Sequence, residues 1–187
     1  MVLELRVPLG SGPAKLFPLI PVFLSYVLSF IFLGIYWSNH HHLLQAIKHV
    51  DGRVLWANLH LLFCLSLTPF VTAWMGENHF AAWPVALYGA VLLFSAIAYS
   101  ILTHALIPLH GRDSVLATAL GSDFKGKVSI VLYAVAIPLS FVSSWLGCAL
   151  YVLVAIMWLV PERRIEKTLV QWQGGQKASQ AEVNQNR

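Results

Sequence analysis

The sequence is poor in charge. Only 11% of its 187 residues are Asp, Glu, Lys or Arg, where soluble domains carry about 25%. That shortage excludes a water-soluble globule. The charges are also unevenly placed, with none between Lys15 and Lys48, Arg53 and Glu77, Glu77 and Arg112, or Lys127 and Glu162. A run of about 20 apolar residues crosses the hydrocarbon core of a bilayer, so each gap reads as membrane-spanning chain. Cysteine is scarce as well: Cys64 and Cys148 lie inside apolar stretches, which leaves neither a disulfide framework nor a metal-ligand spacing. The start, MVLELRVPLG, contains Glu4 and has no basic stretch ahead of an apolar core, so it is not a secretory signal. No Gly-rich phosphate loop occurs, and Glu77, Asp113 and Asp123 are loop carboxylates without a partner motif. Neither an enzyme nor a cofactor is expected on these grounds. The net charge of +4 is spread over span ends rather than gathered in one patch, which argues against nucleic acid as a partner.

What the sequence does have is long apolar runs. Three spans are expected at about Leu16 to Trp37, Val54 to Met75 and Trp83 to Leu106, the last punctuated by Pro108 and Gly111. The fourth gap, residues 128–161, would make one helix about 50 Å long, against a core of about 30 Å. A turn back at Ser143 and Ser144 resolves this and gives five spans. Charge supports that count, because cytoplasmic loops carry the excess Lys and Arg. Five spans put Lys48, Arg53, Arg112, Lys125, Lys127 and the basic residues of the tail on one side, leaving only Arg6 and Lys15 on the other. Four spans would scatter them. The C-terminus is therefore expected in the cytoplasm and the first residues outside, so MVLELRVP reads as the outer end of a helix that begins upstream of Met1. The tail from Gln171, QWQGGQKASQAEVNQNR, is polar and reads as disordered.

Polar groups inside hydrocarbon need partners, and their faces mark where helices meet. On the first span Ser25, Ser29, Phe32, Tyr36, Asn39 and His40 fall within about 100° of one another, with Trp37 and His41 on a neighbouring face. On the second, Asn58, Pro69 and Thr72 share one face, and His60 points almost the opposite way. The cluster YWSNHHHLL, Tyr36 to Leu44, places three histidines at a helix end where Lys or Arg is usual. His40, His41 and His42 point in three directions and offer no i, i+4 pair, so no metal site is expected. A haem would need two histidines on facing helices, for which His60 and His104 are the available pair.

Three stretches, YWSNHHHLL, VDGRVLWANLHLLFCLSLTPF (Val50 to Phe70) and KGKVSIVLYAVAIP (Lys125 to Pro138), resemble the bacterial relatives of the endolysosomal potassium channel called transmembrane protein 175. The resemblance extends through about Lys167. It implies an all-α polytopic membrane protein, a six-helix subunit whose helices two to six are the five spans here, assembled as a homotetramer around a potassium-selective pore in the bacterial inner membrane. Potassium is then the transported ion, not a cofactor. In that family the first helix lines the pore, and this chain lacks it, so no filter residue is assigned. No TVGYG-like carbonyl filter occurs either. By motif match, the residues that hold the pore helix are Trp37, Asn39, His40, His41 and Asn58, in a pore-supporting role. The chain divides into 1–15, the end of a preceding helix and an outer loop; 16–167, the transmembrane domain; and 168–187, the tail. The alternative is a non-conducting membrane scaffold or partner subunit.

Overall fold

The structure, a computed structural model, describes residues 12–45, 50–110 and 124–159. Of the expected outer end of a preceding helix and its loop (1–15), residues 1–11 lie outside the described residues, as does the whole of the tail expected to be disordered (168–187). A 3-10 segment, Pro13–Leu19, leads into α1, Ile20–Gln45. Then follow α2 (Gly52–Ser66), α3 (Thr68–Glu77), α4 (Ala82–His110), α5 (Phe124–Val142) and α6 (Ser144–Leu159). Among the described residues there is no strand.

Among the described residues four of the five expected spans are long and apolar enough to cross a membrane, the fifth, Ser144–Leu159, is a shorter apolar helix, and the second carries an interruption. The second is a single apolar length, Gly52–Glu77, broken at Leu67, where Pro69 has no N–H to give the carbonyl of Leu65. The Leu67 N–H turns back to the Cys64 carbonyl (3.2 Å), and the helix resumes when Val71 N–H reaches the Leu67 carbonyl (3.2 Å). The start of α2 is capped by Asp51, whose carboxylate accepts from Val54 N–H at 2.9 Å, satisfying a donor the helix itself cannot. The third span runs past Pro108 to His110, further than its proline suggested.

The long fourth gap turns back where the length argument put it. Ser143 alone is non-helical between α5 and α6. Cross-helix pairs show that the two run antiparallel: Ser140 meets Gly147 near the turn, Tyr133 meets Tyr151 midway, and Trp158 bonds Ser129 at the far end. At 16 residues, α6 is about 24 Å long.

Helix α4 is the centre of the bundle, packing against α2, α3, α5 and α6, while α1 lies on α3 and α6. One core surrounds Tyr88, Tyr133 and Tyr151. A second surrounds Leu61, Leu102 and Leu106, between α2 and α4. Outside, Phe23, Phe30, Leu55, Phe63, Phe94, Val131 and Leu153 are exposed, a surface that suits lipid and not water. Exposed Trp83 and Trp145 mark one end of the bundle, packed on Phe141 (4.9 Å) and Phe80 (5.8 Å), and exposed Trp37 and Trp56 mark the other, as aromatic belts do at membrane interfaces.

The α3–α4 turn carries backbone strain. His79 and Phe80 have φ of 50° and 59°, left-handed values that side chains disfavour. They are held because Phe80 N–H caps the Met75 carbonyl at 3.0 Å and His79 N–H the Gly76 carbonyl at 3.3 Å. His79→Gly is expected to stabilise the fold by about 0.5–1 kcal/mol, read as a raised Tm in detergent; an unchanged or lower Tm would show that the turn is not strained.

Candidate functional site

The polar face of α1 is turned inward. Ser25, Ser29 and Phe32 are buried. Ser25 spends its hydroxyl on its own helix, donating to the Val22 carbonyl at 2.8 Å. Ser29 reaches across: its hydroxyl pairs with Thr72 of α3 and lies 3.3 Å from the Tyr88 hydroxyl of α4. Thr72 donates in turn to the Thr68 carbonyl at 2.6 Å. Three helices are thus tied at one point, where an unmade hydrogen bond would have no water to replace it.

A second polar group ties α4 to the α5–α6 hairpin. The Tyr151 hydroxyl donates to the Val85 carbonyl at 3.2 Å and lies 3.5 Å from the Ser140 hydroxyl, which itself donates to the Ala136 carbonyl. The rings of Tyr88 and Tyr133 flank Tyr151 at 5.7 and 6.1 Å. These tyrosines were not singled out from the sequence. Their signal was available: a tyrosine in mid-span must find a partner for its hydroxyl, and Tyr88 is followed directly by Gly89.

The five residues taken from the motif do not form one cluster; they fall into three groups. His40 of α1 meets Asn58 of α2, with Nε2 2.6 Å from Oδ1; the amide oxygen can only accept, so the ring nitrogen donates. Trp37 and His41 stack on each other at 5.3 Å and 11° on the outer face of α1, where Trp37 is 69% exposed. Asn39 points elsewhere, donating Nδ2–H to the Ile35 carbonyl at 2.9 Å and lining a crevice among α1, α4, α5 and α6. This divergence follows from helix geometry, since neighbouring residues on α1 are about 100° apart.

The His40–Asn58 contact is a direct polar link of α1 to α2. Single His40→Ala and Asn58→Ala substitutions are each expected to lower stability, with a coupling of about 0.5–1.5 kcal/mol in a double-mutant cycle. Strictly additive losses would show that the pair does not hold the helices together.

No group of three or more His, Cys, Asp or Glu that could hold a metal ion occurs among the described residues. His60 and His104, the pair a haem would need, are both exposed, and His104 Nδ1 is held by the Ser100 carbonyl at 2.7 Å. They do not converge on an enclosed pocket.

A bundle of long apolar helices, tied by buried hydroxyls and belted by tryptophan, defines a multi-pass α-helical membrane protein. The family model described as endosomal/lysosomal potassium channel TMEM175 matches residues 1–69. A potassium channel of Chryseobacterium sp. (strain P1-3) is 53% identical over 90% of this chain and 88% of its own length. One from Streptomyces collinus is 29% identical over 83% of this chain and 81% of that protein. The crystal structure of a lysosomal potassium-selective channel TMEM175 homolog from Chamaesiphon minutus superposes with a TM-score of 0.69 at 27% identity, covering 85% of this chain and 86% of that one. The chain belongs to the TMEM175 family of potassium channels.

Proposed function

We propose that this chain is one subunit of a homotetrameric, potassium-selective leak channel of the bacterial inner membrane, passing potassium down its gradient. The observation that carries this reading is the Chryseobacterium potassium channel, 53% identical along nine-tenths of the chain. The fold agrees with it. The described bundle is filled by side chains such as Tyr88, Tyr151 and Leu102, all fully buried, so a conducting path belongs between subunits rather than through one. The exposed apolar faces of α1 and α2 supply surface for such an assembly.

In this reading Trp37, Asn39, His40, His41 and Asn58 support the pore without coordinating the ion. His40 and Asn58 fix α1 against α2, and the Trp37–His41 stack presents a rigid outward edge. Arg53 at the start of α2 and Lys125 and Lys127 at the start of α5 share the end of the bundle assigned to the cytoplasm, with the C-terminus on that side.

The test is flux. The purified protein, sized as four copies of the 20.8 kDa chain, is reconstituted in liposomes carrying a potassium gradient. Potassium flux above that of protein-free vesicles, exceeding sodium flux under matched gradients, is the expected result. No flux from a verified tetramer would replace the channel with a non-conducting scaffold, and a different native mass would overturn the tetramer alone.

A further inference from the structure

The crevice among α1, α4, α5 and α6 carries hydrogen-bonding capacity that the protein does not use. Tyr36, Asn39 and Tyr133 line it together with apolar Ile35, Ala96 and Ala155. Tyr133 is only 2% exposed. Yet among the described residues neither its hydroxyl nor that of Tyr36 has a hydrogen-bond partner, in contrast to the bonded hydroxyls of Tyr88 and Tyr151. No fully enclosed side-chain nitrogen or oxygen lacks a partner among those residues, so each of the two phenol oxygens keeps access to open space, and the crevice is the cavity that both residues line. Asn39 has committed Nδ2 to the Ile35 carbonyl, which leaves Oδ1 as an acceptor.

Size and charge narrow the occupant. The internal volume is about 30 Å³, room for about two water molecules. None of the lining residues is acidic or basic, and an unpaired ion at this depth would be strongly disfavoured. The occupant is therefore neutral, very small and able to hydrogen-bond. Most of the wall is apolar, so a molecule with both a hydroxyl and a short alkyl part satisfies the crevice better than water does.

We propose that this crevice is a binding site for short-chain primary alcohols of two or three carbons. The hydroxyl pairs with Tyr133 and Tyr36 in place of one water, and the alkyl group displaces the other against Ile35, Ala96 and Ala155. The site is independent of the channel reading, because it is formed within one chain. Its small volume also sets a length limit that simple partition into lipid does not have: partition strengthens with every added methylene, whereas the crevice rejects longer chains.

Trp158 lines the same crevice, with its indole fixed by a 2.8 Å hydrogen bond to Ser129, and serves as the reporter. The full chain in detergent is titrated with 2-bromoethanol, whose bromine quenches indole fluorescence, and the Trp158→Phe variant is titrated in parallel to isolate that residue. Saturable quenching of Trp158 at millimolar probe is expected, competed by ethanol and 1-propanol but not by 1-hexanol at the same aqueous concentration. Tyr133→Phe, which keeps the ring, is expected to weaken binding about 3- to 10-fold, and Ala155→Leu to abolish it by filling the space. Should Ala155→Leu fail to fold, the Tyr133→Phe shift and the length limit decide the matter. Quenching that never saturates, or competition that grows steadily from ethanol to hexanol, would overturn the site in favour of partition. Saturation unaffected by Tyr133→Phe would overturn the assigned hydroxyl contact and with it the proposal.

Discussion

Tyr88→Ala is expected to destabilise the protein by about 3–5 kcal/mol, the range for removing a large buried aromatic side chain. Tyr88 is fully buried on the central helix. Its ring packs edge-on against Phe32 of α1 at 6.2 Å and beside Tyr151 of α6 at 5.7 Å, and its hydroxyl hydrogen-bonds with that of Ser29. Alanine would leave a cavity shared by three helices and strand the Ser29–Thr72 pair beside it. Tyr88→Phe separates the two contributions: it keeps the packing and should cost only about 1–2 kcal/mol, the share of one buried hydrogen bond. The measurement is chemical unfolding in a fixed detergent for the three proteins. If alanine and phenylalanine prove equally damaging, the hydroxyl network dominates over packing; if both are mild, Tyr88 is not the centre of the fold.

The prominence of Tyr88 also shows where sequence reasoning stopped. Span number and the turn at Ser143 were legible because charge gaps and bilayer thickness are one-dimensional quantities, readable along the chain. The inward face of α1 was legible too, since the spacing of Ser25 and Ser29 fixes which way they point. What those serines meet was not. Thr72 lies 43 positions from Ser29 and Tyr88 lies 59, and no periodicity along one helix states which neighbour it faces. The break at Leu67 could have been read from Pro69, yet hydropathy runs through it unchanged. The motif residues show the converse limit. Trp37, Asn39, His40 and His41 are adjacent in sequence, and that adjacency places them on three different faces of a helix, where they take three separate sets of partners.

Close approach of helices at glycine carries the last large effect. At Gly89 an added Cβ would overlap the hydroxyl of Tyr151, lie 2.7 Å from its Cζ and 3.1 Å from Ile137 Cγ1. Tyr151 has nowhere to retreat: it is fully buried and bonded to the Val85 carbonyl. Gly89→Ala is therefore expected to lower stability by about 1–3 kcal/mol despite alanine's better helix propensity, because α4 and α6 must separate. The cause can be isolated with Tyr151→Phe, which removes the overlapping oxygen but not Cζ. In that background Gly89→Ala should cost measurably less, so the double mutant is more stable than the sum of the single losses predicts. Small residues set helix spacing in membranes because lipid offers no hydrophobic drive for one helix to seek another, and tight contact must supply it. An additive cycle would place the damage of Gly89→Ala elsewhere, at Ile137, and would mean that the tyrosine hydroxyl does not set the distance between α4 and α6.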